Sequence, residues 1–260
     1  MGIEVRTLAA TYSNGFHIAS HAHPWGQLIY AAEGVMRVHA GDRLWIVPST
    51  RAIWAPPQAR HEIWAQGTFS MRTLYLTPRL ARLLPEDCRA IEIGPLLSEL
   101  ILHIVRIGML MNEEPSHRRS IGFLLDQLRA TEMLPLSLKM PKDKRARAVA
   151  ERLQMNPSDE ASLPDLAKAA GASGRTLQRL FRAETGLNLG EWRRRLRLLH
   201  AVTLLDTGHS VTEAGFEAGY QSTSAFVASF RVVFGSTPMQ MRKSRAKNGK
   251  AGSAQDLPER

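Results

Sequence analysis

Two groups of side chains in this sequence could do chemistry, and they lie in opposite halves of it. In the front half His21, His23 and Gln27 share one parity, so in a single extended strand they face the same side and can line one pocket. Imidazole nitrogen with an oxygen ligand suits a divalent transition metal, although an amide oxygen brings no charge and is a poorer ligand than a carboxylate. Glu33 and Glu62 are near in sequence but not at the ligand spacing. Three readings stay open: a polar pocket for a small-molecule effector, a metal site, or histidines that only satisfy an interior. In the rear half Arg175, Gln178 and Arg179 lie near the start of one short helical segment, on the face away from its apolar stripe. Arginine can pair with guanine and glutamine with adenine in the major groove, so base reading is a chemistry open to such a set.

The elements around the second group are written twice. Gly171, Ser173, Leu177, Phe181 and Gly186 recur as Gly219, Ser222, Phe226, Phe230 and Gly235, at an offset of 48 residues for the first pair and 49 for the others. Each copy reads as a short helix, a glycine turn and a second helix. Before the turn, Leu163, Leu166, Ala167 and Ala170, then Val211, Ala214, Gly215 and Ala218, fall at helical spacing with small residues at the crossing. After it, Ser173 and Ser222 are suitable N-caps, and Leu177, Leu180 and Phe181, or Phe226, Phe230 and Val233, form one apolar face. Between the copies, Leu189 to Asp206 has no proline and an apolar stripe of Trp192, Leu196, Leu199 and Leu204. At about 1.5 Å per residue it spans roughly 27 Å, close to the ~34 Å between successive major-groove windows on one face of DNA.

Residues 145–244 therefore resemble the DNA-binding domain of the AraC/XylS family of bacterial transcription regulators, on the string Gly219-Tyr220, Ser222, Ser224-Ala225-Phe226, Phe230-Arg231, Phe234-Gly235 and Pro238. The resemblance carries base reading onto Arg175, Gln178 and Arg179. Ser173 and Thr176 are expected to cap and to touch backbone. In the second helix Thr223, Ser224, Val227 and Ala228 offer hydroxyls and apolar surface but no long donor, which predicts weak reading of the second half-site through thymine methyls and backbone. Arg182 and Arg231 are candidates for clamping phosphates. Charge agrees: residues 141–260 hold 20 Lys and Arg against 12 Asp and Glu, and residues 1–140 hold 14 against 12. An excess on that half favours a polyanion, with affinity falling steeply with salt. In the run Arg193, Arg194, Arg195 and Arg197, consecutive residues point in different directions, so one or two could meet phosphate and the rest face solvent.

In the front half, Gly15, His21, His23, Gln27 and Gly34 follow the spacing of the first cupin motif, with Gln27 in place of the usual Glu. Pro56, Gln58 and His61 follow the second, with Gln58 in place of a glycine and Ala65 in place of an asparagine. Short β-type runs at Gly26 to Tyr30, Val35 to His39, Leu44 to Val47 and Arg51 to Trp54, with turn signals between them, predict a small barrel over roughly residues 8–77. The resemblance adds His61 to the pocket and implies a divalent metal there as a cofactor. His17 is expected to be an exposed strand residue. Four of the five tryptophans, Trp25, Trp45, Trp54 and Trp64, fall in this half, mostly as barrel packing.

The expected fold is α+β: a cupin-like effector-binding barrel over 1–80, a helical connecting segment over 81–132, a linker over 133–144, an all-α domain of two helix-turn-helix units joined by a long helix over 145–244, and a disordered tail over 245–260. Leu96, Leu97, Leu100, Ile101, Ile104, Ile107 and Met111, then Ile121, Leu124, Leu125 and Leu128, repeat at helical spacing. The resemblance implies that this region pairs two subunits, giving a homodimer; the plainer alternative is that the stripes cover the barrel. One cysteine, Cys88, excludes an intramolecular disulfide and fits a reducing cytosol. The N-terminus has no apolar signal segment and no stretch is long enough to cross a membrane, so a soluble cytoplasmic protein is expected. Expected partners are double-stranded DNA, a small-molecule effector and RNA polymerase. The His-x-His-x-x-x-Gln-Leu pattern resembles family members that control neighbouring transporter genes. A serine, cysteine or paired-carboxylate constellation is missing, so no enzyme is expected; the alternative is a cupin-type metalloenzyme that binds nucleic acid incidentally.

Overall fold

The computed structural model describes residues 2–49, 51–130, 137–206 and 208–241. The front half is built on two long strands, β3 (Gly26–Ala40) and β6 (His61–Leu76), which run antiparallel along their whole length. On the other side of β3 lie β4 (Arg43–Pro48) and β5 (Arg51–Ala55). On the other side of β6 lie β1 (Ile3–Tyr12) and β2 (His17–His21). One sequence run thus serves two half-sheets, because register shifts between Ala31 and Val35 bend both long strands and roll the sheet closed. Gly34 sits at that bend with φ +74°, and a Cβ there would stand 2.3 Å from the Thr68 carbonyl oxygen, so only glycine fits. The interior takes alternate residues of each strand, odd-numbered in β3 before the bend (Ile29, Ala31) and even-numbered after it (Met36, Val38), together with Trp45, Ile53 and Ile63.

The segment 81–132, expected to be helical, contributes to the sheet as well. After a short helix α1 (Pro78–Ala81), β7 (Arg89–Glu92) adds to β5, and β8 (Met109–Met111) adds to β1. Between them α2 (Pro95–Ile107) ends at Gly108 with φ +89°, so Met111 belongs to a strand rather than to the helical stripe. Leu97, Ile101 and Ile104 of α2 and Ile121, Leu124, Leu125 and Leu128 of α3 (Pro115–Ala130) pack on the outer face of the barrel with Val5, Leu28 and Trp54. Both stripes therefore cover the sheet, while Leu96, Ile107, Met109 and Phe123 remain exposed.

The expected linker, 133–144, begins outside the described residues. Its described part is not a free tether: β9 (Ser137–Lys139) pairs with β4, the Met140 N–H donates to the Asp42 carbonyl at 2.7 Å, and the Lys142 and Asp143 N–H groups donate to Glu184. Alternation explains this, since Leu138 and Met140 bury themselves while Ser137 and Lys139 face outward. The expected tail, 245–260, lies outside the described residues.

The rear half is all helical: α4 (Lys144–Met155), α5 (Leu163–Ala169), α6 (Gly174–Thr185), α7 (Leu189–Asp206), α8 (Val211–Glu217) and α9 (Thr223–Phe234). The long helix α7 is buried on two sides. Trp192, Leu196 and Leu199 join a core with α4, α5 and α6, whereas Leu198, Val202 and Leu205 join a second core with α8 and α9. The first of these cores also takes in Val35, Leu44 and Ile46 from the outer face of β3 and β4, so barrel and first helical unit share apolar packing. Among the described residues no helix is long and apolar enough to cross a membrane.

Candidate functional site

The duplicated units place their recognition helices as their caps dictate. Ser162 and Asp165 form a capping box at α5, and Ser210 and Glu213 form one at α8. Ser173 Oγ accepts from the Thr176 N–H at 3.1 Å, and Ser222 Oγ accepts from the Ala225 N–H at 3.3 Å, satisfying free amides of α6 and α9. Both helices stop at glycines in the left-handed region, Gly186 and Gly235. Arg175, Arg179 and Arg182 are exposed on α6, and Ser224, Ala225, Ala228 and Arg231 on α9. Arg182 lies 3.7 Å from Glu191 in an exposed pair. Thr176 is half-buried, its hydroxyl 2.9 Å from Ser173 Oγ.

Two of the expected base readers are partly committed elsewhere. Gln178 is half-buried, and its Oε1 accepts from the Leu189 N–H at 3.2 Å, capping the start of α7. Val227 packs against the core of the second unit, while Thr223 is half-buried at the helix start. The exposed apolar surface of α9 is instead Ala225, Ala228 and Val232, the last 86% exposed.

The arginine run divides by direction. Arg194 is exposed, and Arg193 Nη1 donates to the Ala161 carbonyl at 2.8 Å. Arg197 turns inward: its Nε donates to Pro157 O at 3.1 Å, Nη1 to Gly219 O at 3.0 Å and Nη2 to Asp159 O at 3.1 Å. One guanidinium thus ties the loop before α5 to the turn of the second unit. Spacing could not reveal it, because its partners are all backbone carbonyls, which carry no sequence signal.

In the barrel, β2, β3 and β6 bring His21, His23, Gln27 and His61 together; His21 and His61 are register partners. One ring nitrogen from each histidine lies within 4.8 Å of the others. Each ring's Nδ1 faces a backbone carbonyl: Ala19 O at 2.8 Å for His21, Trp25 O at 2.8 Å for His23 and Ala59 O at 2.9 Å for His61. A carbonyl only accepts, so each Nδ1 carries a proton, and a neutral ring then presents its Nε2 lone pair. Gln27 is fixed in the same way. The Thr73 hydroxyl donates to Leu28 O at 2.9 Å and can therefore only accept from Gln27 Nε2, also at 2.9 Å, which turns Gln27 Oε1 toward His23 Nε2 at 2.9 Å. Acceptors converge with no donor between them, and the buried Nε2 of His61 has no partner among the described residues. Burial, with His21 and His23 beside it, lowers the His61 pKa to about 4, against a raising hydrogen bond to Ala59.

That donor set fits a divalent transition-metal ion: three neutral imidazoles, each oriented by a second hydrogen bond, and one amide oxygen. Tyr75 packs edge-on against His23 at 5.3 Å, and Arg6 lies over the Trp25 ring at 4.9 Å. His17 is exposed and stacks on Trp64. Glu62 belongs to another cluster, 3.4 Å from His39.

Comparison with known proteins follows this division. Residues 3–134 match an AraC-like ligand binding domain and residues 166–244 a helix-turn-helix domain. The chain is 32% identical over 218 residues to the HTH-type transcriptional regulator NimR of Escherichia coli, covering 84% of this chain and 80% of that protein. It is 28% identical over 232 residues to the HTH-type transcriptional regulator RipA of Corynebacterium glutamicum, covering 89% of this chain and 66% of that one. A solved DNA-binding domain of AdpA in complex with a target DNA is 30% identical over 42% of this chain and 99% of its own, with a TM-score of 0.39. By its ligand-binding barrel, its paired helix-turn-helix units and its likeness to NimR, this chain belongs to the AraC/XylS family of transcription regulators.

Proposed function

We propose that this regulator reads DNA chiefly through Arg175 and Arg179 of α6, with weaker contacts from α9, and that its barrel senses a divalent transition-metal ion held by His21, His23, His61 and Gln27. The observation that carries the metal reading is the locked set of tautomers. A single proton would satisfy His23 against Gln27, whereas a cation satisfies all four acceptors at once. A divalent ion held by His21, His23, His61 and Gln27 would supply a fixed positive charge where β2, β3 and β6 meet.

The chain acts as a sensor rather than an enzyme, in the cytoplasm and on the chromosome. Gln27 occupies the place where a carboxylate would complete a cupin-type ligand set, and among the described residues no carboxylate joins the three imidazoles. A homodimer forms through the exposed apolar residues of α2 and α3, and RNA polymerase is the partner at the promoter.

The deciding measurement is the metal content of untagged protein, with a His21→Ala/His61→Ala variant beside it. About one ion per chain, lost in the variant, is expected; protein that takes up no transition metal on dialysis against zinc, nickel or cobalt defeats the metal reading and leaves an organic effector. The DNA half is tested by anisotropy on the duplex upstream of the gene. Binding there is expected to exceed random duplex and to weaken with salt.

A further inference from the structure

After the bend in β3 the even-numbered residues fill the barrel, so Val35, Arg37 and His39 point the other way, toward the helical half. Val35 joins the apolar core shared with α4 and α7. Arg37 stands in the same layer, yet among the described residues it has no ion pair, and its Nε is shut from water without a hydrogen-bond partner.

His200 of α7 meets Arg37 across a cavity of about 10 Å³ at this junction. Leu44, Ile46 and Leu196 line it, its polar side chains are Arg37, His200 and Gln154, and no carboxylate lines it. The His200 Nδ1 is likewise buried and without a partner among the described residues. Such a cavity has room for about one water. That water accepts from the Arg37 Nε–H and donates to the His200 Nδ1 for as long as that nitrogen keeps its lone pair. A proton on Nδ1 turns the acceptor into a second donor and sets a second cation beside the guanidinium.

The charged and titratable groups that face His200 are Arg37 of β3, Glu217 of α8 and His209 just before α8, while β4 and α4 offer Leu44, Ile46 and Gln154. Glu217 is shared with His209, 3.6 Å away. Burial lowers the His200 pKa, Arg37 and His209 act in the same direction, and Glu217 works against them.

We infer that His200 and Arg37 form a pH-sensitive latch: neutral His200 keeps α7 packed on the barrel, and protonated His200 is repelled, so that acid frees the DNA-binding half from the barrel. A released His200 returns to the ordinary value near 6.5, so the packing is at full strength above that pH and weakens as the pH falls below it. The latch requires no metal at the imidazole pocket, which its residues do not touch. His39, on the same face of β3, meets Gln154 and Glu62 and does not line the cavity.

The test uses the full chain, kept metal-free with chelator, carrying Cys88→Ser and Val35→Cys. Val35 is fully buried in the core shared with the helical half, so a thiol there reports separation of the halves. Its rate of reaction with dithiodipyridine is divided by that of the urea-unfolded chain at each pH, which removes the thiol's own titration. Between about pH 7.5 and about pH 5.5 this ratio is expected to rise about tenfold more in the parent than in His200→Gln, the weight of one proton taken up a pH unit below the ordinary histidine value. His39→Gln, which removes the other imidazole on this face, should leave that difference in place. A ratio that does not rise in the parent, or rises equally in His200→Gln, defeats the latch. If His200→Gln does not fold, Arg37→Gln removes the opposing charge from the barrel side and should cut the rise by itself; an undiminished rise there counts against the proposal equally.

Discussion

Replacing Arg197 by alanine removes the tie between the two DNA-binding units, and the cost can be worked from its contacts. Three hydrogen bonds of 3.0 to 3.1 Å reach Pro157, Asp159 and Gly219, while a fourth to Ser158 at 3.5 Å is too long to count. Charge-assisted bonds of this kind are worth about 1.5–3 kcal/mol when the loss leaves buried acceptors unpaired. These carbonyls are only partly buried, so water replaces the guanidinium in part, and about 1 kcal/mol each is the appropriate figure, or about 3 kcal/mol together. Packing adds to it: a Cβ on Gly219 would stand 2.8 Å from the guanidinium carbon, which shows how closely Arg197 fills that turn. Urea unfolding followed by helical circular dichroism is the assay. With a slope near 2 kcal/mol/M the midpoint is expected to fall by roughly 1.5 M. Arg197→Lys, a point charge without the fork, should recover about a third of the loss. On DNA, the alanine variant is expected to keep its preference at one half-site and lose the advantage of two correctly spaced ones. A midpoint within about 0.3 M of the parent would refute the assignment, since it would mean that water serves those carbonyls equally well.

Three further outcomes follow from the site and its frame. Arg179→Ala should relax sequence preference by about 1–3 kcal/mol at one base pair, whereas Gln178→Ala, which uncaps Leu189, should cost about 1 kcal/mol of stability and change preference little; competition binding and melting read the two apart. Gly34→Ala combines a left-handed φ with a 2.3 Å approach to the Thr68 carbonyl, so a loss of at least about 2 kcal/mol or insoluble expression is expected, and a melting temperature equal to the parent's contradicts the bend. His39 lies beside Arg37 of β3, Glu62 of β6, and Arg147, Glu151 and Gln154 of α4, and burial, then Arg37 and Arg147, lower its pKa to about 4. The unfolded chain, with the ordinary value near 6.5, binds more protons between those values, so stability holds above pH 6.5 and falls as the pH drops from 6.5 toward 4, by up to about 1.4 kcal/mol per pH unit. His61, also near 4, titrates in the same window, so His39→Asn should reduce that slope rather than abolish it, and an unchanged slope would count against a buried neutral His39.

What was legible in the sequence, and what was not, separates along the kind of partner each side chain takes. The duplicated helices, their serine caps and the exposed Arg175 and Arg179 depend on spacing and on near neighbours in the chain, which a sequence displays directly. The gathering of His21, His23 and Gln27 matches the expected pocket but not its reason, since no single strand holds them: His21 ends β2, His23 lies between the strands and Gln27 belongs to β3; His61 comes from a motif's resemblance, and the direction of each ring is not visible in the sequence. It depends on the carbonyls of Ala19, Trp25 and Ala59, and every residue type offers the same carbonyl. The tie made by Arg197, expected to meet phosphate or solvent, is hidden for that reason, its partners being the backbones of two loops distant in sequence. The free face that points Gln178 at DNA is visible in the sequence, while its bond to Leu189 depends on how α6 and α7 meet. The supposed linker shows a further limit. Its prolines and charges suggested a tether, yet Leu138 and Met140 alternate with polar residues over too few positions to stand out as a strand, and only the open edge of β4 and the apolar face of Leu44 and Ile46 give that alternation something to pair with. Such a partner lies nearly a hundred residues away, and the same packing places Leu196 and Leu199 of α7 against the barrel. The helix that joins the two DNA-binding units is consequently fixed beside the barrel by apolar burial that no local pattern in its own segment encodes.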